Sequence, residues 1–296
     1  MPLENVVQYL LSGITTGSVY AIIAIGFNII YNTTGIINFA QGEFLMLGGM
    51  ISITLAQFMP LPAAIAGAVL ITAGIGFLIE LSFIRWIKEP TVLRMIIITV
   101  GLSIIIREAA LHVWDEKVRA LPYFTGNEIT SMEILGARFS PQILWVLATC
   151  AVIVVMLNVF YSYTLTGKSM RACASNRTAA SLCGINIKNM VSLSFVLSAA
   201  IGALAGCVIS PITQTQYDCG TSLAIKGFTA AILGGLGSSN GAIVAGLAIG
   251  VIEAASISVI PLAYKDAITL TLLLFVLVLK PSGLFGSREA GALKEF

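Results

Sequence analysis

The sequence predicts an all-α integral membrane protein, a helical bundle of eight or nine membrane segments with broken helices. Three observations predict it. The 296 residues are 57% hydrophobic and only 10% charged, with a mean hydropathy of +0.97, outside the range of an ordinary water-soluble domain. Apolar runs follow one another along the whole chain, most of them near the ~20 residues that one crossing of a bilayer requires. The runs are continuously apolar and lack the two-residue alternation of a membrane β-barrel, so helices have to satisfy the backbone in lipid.

The first run, Val6 to Tyr31, follows Met1-Pro2-Leu3-Glu4-Asn5. That start carries no Lys or Arg, and no clear small-residue cleavage site follows, so it reads as a retained span rather than a signal peptide. Ile36 to Phe58, Leu61 to Ile84, Val92 to Leu111, Ile143 to Tyr163 and Met190 to Ile209 come next, then a shorter run, Leu223 to Leu233. Ala242 to Ile260 and Ala267 to Leu279 complete the series. Two gaps look alike, each rich in Gly and small polar residues between apolar helices: Tyr31-Asn32-Thr33-Thr34-Gly35, and Gly234-Gly235-Leu236-Gly237-Ser238-Ser239-Asn240-Gly241. Interrupted hydrophobic segments in both halves of a chain point to a transporter core, because broken backbone is tolerated at depth only where it lines a cavity or packs in protein. For the first gap a broken helix and an ordinary tight turn both stand. For the second the broken helix is favoured, since Leu223 to Leu233 is too short to cross alone. Glycines four apart, Gly13/Gly17, Gly202/Gly206 and Gly246/Gly250, suit close helix approach. With 28 glycines some such pairs arise by chance, so they indicate dense packing and nothing sharper.

Charge sets the orientation. The connector 163–190 holds Lys168, Arg171, Arg177 and Lys188 and no acid, which places it in the cytoplasm. Arg85, Lys88 and Arg94 against Glu89 mark a second cytoplasmic connector, and Lys280, Arg288 and Lys294 mark the C-terminus. The loop 112–140 sets Asp115, Glu116, Glu128 and Glu133 against Lys117, Arg119 and Arg138 and belongs outside. The N-terminus is then outside too, provided that the first three runs each cross fully. With few linkers and no low-complexity tail, residues 1–296 read as a single transmembrane domain. A net charge of +2 is too small to imply nucleic acid, and topology accounts for the basic residues.

No enzyme is visible. Gly167-Lys168-Ser169 ends like a phosphate-binding loop, but the motif's first Gly falls on Ser162, and no soluble strand precedes it. The run 234–241 has Asn240 where a dinucleotide fingerprint needs its last Gly. His112 is the only histidine. Cys150, Cys173, Cys183, Cys207 and Cys219 are scattered, with only Cys219 in an external segment, so neither a disulfide framework nor a metal site is expected.

Ionisable residues inside the runs carry more information: Glu43, Glu80, Arg107, Glu108, Lys226 and Glu253. At a helix centre each costs about 2.5–3.5 kcal/mol on insertion scales and should face the bundle interior or a wet cavity. Glu80, Arg107, Glu108 and Lys226 lie near run ends, where snorkelling or local pairing suffices. Asn38, Gln41 and Glu43 follow the first gap. Asn38 and Gln41 share a helical face, with Glu43 oblique to it, and the three either hydrate a translocation pathway or act as structural polar glue. Glu253, with Ser256 three positions on, suits hydrogen bonding between helices. In the basic connector, Met170 to Leu182 is Ala-rich and helix-compatible, with Gly184 as a stop. Such a helix can bind anionic headgroups, but its small exposed apolar residues suit a groove on a partner protein better.

A family resemblance rests on five segments: Gly35-Ile36-Ile37-Asn38-Phe39-Ala40-Gln41-Gly42-Glu43, Gly167-Lys168-Ser169-Met170-Arg171-Ala172, Gly184-Ile185-Asn186, Phe228-Thr229-Ala230-Ala231-Ile232-Leu233-Gly234-Gly235 and Lys280-Pro281-Ser282-Gly283-Leu284-Phe285-Gly286. Nearly end to end, the chain resembles the branched-chain amino acid permeases of ATP-binding-cassette importers, of the LivH type. The resemblance implies a vitamin B12-type permease bundle in the bacterial inner membrane. It also implies a second related permease subunit, two cytoplasmic ATPase subunits that hydrolyse the ATP, and a periplasmic binding protein delivering leucine, isoleucine or valine. This chain itself would need no cofactor. Gly167, Arg171, Ala172, Asn176, Gly184 and Ile185 would belong to the coupling loop seated on an ATPase. The repeats of that fold are inverted, whereas the crossing count gives the two gaps the same orientation. Two other readings remain: the same architecture importing urea, amides or other amino acids, and a self-contained channel or ion-coupled carrier, for which Glu43 and Glu253 are the candidate acids. A membrane scaffold without transport is disfavoured by the two broken segments.

Overall fold

The structure is a computed structural model describing residues 3–87, 91–126, 130–134, 137–258, 261, 264–280 and 283–285. Met1, Pro2, Lys88, Glu89, Glu128, Ile260, Pro281, Ser282, Gly286, Arg288 and Lys294, which enter the sequence reading, lie outside the described residues.

Each of the nine apolar runs forms a helix. In chain order these are α1 (Leu3–Thr34), α2 (Gln41–Leu55), α3 (Leu61–Ile79, continued by a π-helical turn, Glu80–Ile84), α4 (Val92–Trp114) and α5 (Gln142–Tyr163). Two short helices follow, α6 (Leu165–Ser175) and α7 (Arg177–Leu182), then α8 (Ile187–Thr213), α9 (Cys219–Gly234), α10 (Ser239–Ser256) and α11 (Lys265–Leu279). Among the described residues six helices are long and apolar enough to cross a membrane: α1, α3 with its π turn, α4, α5, α8 and α10. The other three apolar helices, α2, α9 and α11, have 15, 16 and 15 residues. They measure about 22–24 Å at 1.5 Å per residue, short of a hydrocarbon core of about 30 Å.

The chain is not wholly α. In the loop 112–140, β1 (Met132–Ile134) pairs antiparallel with β2 (Ala137–Phe139), setting Glu133 opposite Arg138. The alternation that marks strands is too short to read in a three-residue pair.

Contacts divide the chain into two compact units, with boundaries inside α1, α5 and α9. One comprises residues 26–121 and 151–224. At its centre α2 packs against α8, α3 and α4, and it is buried from Gln41 through Ile53. Phe44, Met95, Leu102, Phe195 and Ala199 belong to one core cluster there. Gly202 and Gly206 let α8 approach α2: a Cβ on Gly206 would collide with the Leu45 carbonyl, and one on Gly202 would press on Phe44. The other unit comprises residues 1–25, 122–150 and 225–296. Here Gly13 and Gly17 on α1 face Gly250 and Gly246 on α10, and a Cβ on any of the four would meet backbone of the opposite helix. The spaced pairs that the sequence offers as generic packing signals are thus two matched seams.

Apolar side chains such as Leu93, Ile97 and Ile105 on α4 and Val152, Val155 and Val159 on α5 are exposed. In lipid such surfaces incur no hydrophobic penalty.

Candidate functional site

The first gap lies a few residues later than the sequence suggests. Both threonines are in α1, and the Thr33 and Thr34 hydroxyls donate to the Ile29 and Ile30 carbonyls one turn back, at 3.2 and 2.6 Å. Gly35, at φ +69°, ends the helix and donates to the Tyr31 carbonyl, and the break spans Gly35 to Ala40. Left-handed backbone at a helix end is the position Gly takes without steric cost. Asn38 therefore does not share a helical face with Gln41. Its Oδ1 accepts from the Ala40 amide at 3.1 Å, a local turn that competes with helix.

Asn38, Gln41 and Glu43 are all fully buried. Gln41 begins α2 and donates from Nε2 to the Ser198 carbonyl of α8 at 3.2 Å. The Ser198 hydroxyl is within reach of both Gln41 Oε1 and the Gly26 carbonyl of α1. Glu43 Oε1 accepts from Ser103 of α4 at 2.9 Å and from Thr221 of α9 at 3.1 Å, and Arg107 and Asp218 act on it electrostatically. Among the described residues, Glu43 Oε2 and Asn38 Nδ2 are buried without a hydrogen-bond partner. The acid is thus held by hydroxyl dipoles, an arrangement that ties α4 and α9 to α2.

The basic connector forms a helical pair, not one helix. Thr164 caps α6, its hydroxyl accepting from the Gly167 amide at 2.9 Å. Asn176 is in extended backbone and caps α7, accepting from the Ala179 amide at 2.9 Å. An Asn at that point stops one helix and starts the next. Gly184, at φ +83°, closes α7: its amide donates to Ser181 and the Ile185 amide to Ala180, the two bonds of a Schellman motif. α6 turns Gly167, Met170 and Cys173 inward and leaves Lys168, Arg171 and Ser175 outward. Of the six residues assigned to the coupling loop, Arg171, Asn176 and Gly184 are exposed, Ala172 and Ile185 are half-buried, and Gly167 is buried against the Phe160 carbonyl and Tyr161. Gly167-Lys168-Ser169 lies within α6, after a helix and not a strand.

The second break spans 235–238, with Ser238 capping α10 by accepting from the Gly241 amide at 3.1 Å. Flanking it is a charge network that the sequence reading missed. Lys226 lies near the middle of α9 and not at an end, because Cys219 to Ser222 extend that helix backward. Its Nζ is 2.7 Å from Glu253 Oε1 on α10 and 2.7 Å from Asp266 Oδ1 on α11. Lys265 Nζ approaches Glu253 at 3.3 Å, and the Tyr20 hydroxyl donates to Glu253 Oε2 at 2.7 Å. The bonding of Glu253 between helices is as expected, although Ser256 only donates back to the Glu253 carbonyl. Two opposite charges in adjoining apolar helices were the available signal. Glu80, too, departs from its run-end reading: it is 1% exposed and accepts from Ser192 of α8, whereas Arg107 is half-buried and Glu108 exposed.

Residues 9–277 match the family described as "Branched-chain amino acid transport system / permease component". The high-affinity branched-chain amino acid transport system permease protein BraD of Pseudomonas aeruginosa is 35% identical, covering 95% of this chain and 96% of its own. The protein of the same description named LivH is 34% identical in Salmonella typhimurium and 33% in Escherichia coli K12, with the same coverage. Among solved structures, PsaBC from Streptococcus pneumoniae in complex with Fab aligns with a TM-score of 0.46 at 12% identity, over 94% of this chain and 91% of that one, too loosely to assign a fold. With six helices among the described residues long and apolar enough to cross, the chain is a multi-pass inner-membrane protein. It belongs to the family of branched-chain amino acid transport permease components.

Proposed function

We propose that this chain is the membrane-spanning permease subunit of an ATP-binding-cassette importer for branched-chain amino acids. The observation that carries this reading is identity of 33–35% over 95% of the chain to permeases of high-affinity branched-chain amino acid transport systems. The whole chain is one transmembrane domain. α2, α9 and α11 join the six long helices as short segments of a vitamin B12-type bundle with eight or nine membrane segments, the loop 112–140 being periplasmic. The α6–α7 pair, in the connector 163–190, is the cytoplasmic coupling element. Gly167 seats α6 against the end of α5, Asn176 and Gly184 fix the shape of α7, and Ala172 and Ile185 shape the contact surface presented with Arg171. Two ATPase subunits dock there, a second related permease completes the membrane dimer, and a periplasmic binding protein delivers leucine, isoleucine or valine. The chain itself takes no cofactor; ATP is hydrolysed by its partners. Asn38, Gln41 and Glu43 belong to the moving core beside the translocation pathway. Closure of the ATPases displaces α6–α7, and the bundle alternates between outward and inward access.

The test is uptake of labelled leucine, urea and a short amide by vesicles carrying this chain with its partners, with and without ATP. ATP-dependent leucine uptake is expected; uptake of urea or the amide in its place reassigns the substrate, and ATP-independent uptake rejects the importer.

Thiol labelling checks the placement of the connector. Cys183 is exposed and should react with an impermeant maleimide only from the cytoplasmic side. Cys173 should resist from either side: it is buried, and burial pushes its thiol up from its ordinary value, with Arg177 partly offsetting the shift. Labelling of Cys183 from outside intact cells rejects the topology.

A further inference from the structure

The α6–α7 pair is bonded directly to the end of α1. Arg177, the first residue of α7, donates from Nη1 to the Thr34 carbonyl at 3.3 Å, across 143 positions of sequence. Thr34 is the last residue of α1, where carbonyls lack partners within the helix and a cation is favoured. The Thr34 hydroxyl accepts in turn from the Ile36 amide at 3.1 Å, so the atoms next to the guanidinium set the geometry of the first break. The bond is at the long end of hydrogen-bond geometry, and Arg177 is only half-buried. It is therefore held yet able to leave.

Arg177 and Thr34 line a cavity of about 140 Å³, shared with Ile36, Glu80, Arg85 and Lys188. Glu80 is 1% exposed and held by the Ser192 hydroxyl, and among the described residues no cation forms an ion pair with it. Arg85 Nε is buried in this neighbourhood without a partner, so it does not satisfy that carboxylate. A buried carboxylate bearing one hydroxyl bond, across a cavity from a weakly seated guanidinium, is a strong unfilled acceptor.

Resting on the importer reading, we propose that Arg177 is the positioning residue that transmits movement of the coupling helices to the first break, with the Thr34 carbonyl as its seat in this conformation and Glu80 as its second seat. When α7 moves, the guanidinium crosses the cavity to Glu80 and the end of α1 is released, which lets the Gly35–Ala40 break change shape. Two discrete seats make this a switch and not a spring.

The test uses the full complex in vesicles, in a Cys183→Ser background, with a nitroxide placed singly at Thr178 on α7 or at Ile37 in the break. The wild type should show an ATP-dependent change of spectral mobility at both labels. Arg177→Ala should keep the change at Thr178 and lose most of that at Ile37. Arg177→Lys, which restores a cationic donor, should recover part of it. Glu80→Gln should leave the nucleotide-free spectrum at Ile37 unaltered and likewise remove most of its ATP response. A purely structural role for Arg177 would move the nucleotide-free spectra or the amount of inserted protein instead. Should Arg177→Ala not insert, the Lys and Gln variants decide. A full Ile37 response in Arg177→Ala or in Glu80→Gln overturns the proposal. No ATP response at either label in the wild type overturns the importer reading, and the link with it.

Discussion

Glu253→Ala is expected to destabilise the protein by about 3–5 kcal/mol, the usual cost of removing one partner from a buried ion pair. The carboxylate side chain is 2% exposed and accepts from Tyr20, Lys226 and Lys265. Its loss leaves Lys226, whose side chain is 10% exposed, with the solvent-exposed Asp266 and the face of the Tyr20 ring, and strands the Tyr20 hydroxyl. Unfolding of the purified protein in detergent, followed by heat or denaturant, measures the loss. Glu253→Leu combined with Lys226→Met should recover most of it, because a well-packed apolar pair avoids the desolvation that the charges incur. A single variant as stable as the wild type would show that the network is wet and contributes little.

Arg171→Glu is expected to act in the opposite manner, sharply reducing transport while sparing the fold. Arg171 is exposed on the outer face of α6, away from the buried Gly167, Met170 and Cys173, so its reversal should alter stability by no more than about 0.5 kcal/mol. In a connector whose charges are all basic, it reverses the sign presented to the partner, and like charges across an interface cost several kcal/mol. ATP-stimulated leucine uptake should therefore fall about tenfold or more at unchanged membrane abundance. Wild-type uptake and ATPase stimulation in that variant would remove the coupling role from α6.

The helices were legible because apolar runs in a membrane chain mark them almost directly, and each of the nine runs contains one. What the runs could not show was how the polar residues between them are used. Thr33 and Thr34 look like a break by residue type, yet both are helical, their hydroxyls bonded one turn back, and α1 runs on until Gly35 ends it. Cys219 to Ser222 look like loop by the same criterion and are helix, which moves Lys226 from an end to the middle of α9. Asn176 divides the Ala-rich connector because its side chain caps as well as any residue, a local effect that composition hides. The basic face of α6 and the stop at Gly184 were readable, since both depend on neighbours in sequence. Lys226 with Glu253, Arg177 with Thr34 and Glu43 with Ser103 were not: these partners lie 27, 143 and 60 positions apart, and only packing brings them together.

The seam of Gly13 and Gly17 with Gly246 and Gly250 has a mechanical consequence. Where two main chains touch with nothing between them, a methyl is the smallest possible spacer and is already too thick. Such a joint has no graded positions: it is shut, or it has come apart along its length. The first half of α1 and the part of α10 around Gly246 and Gly250 therefore carry load as a single strut.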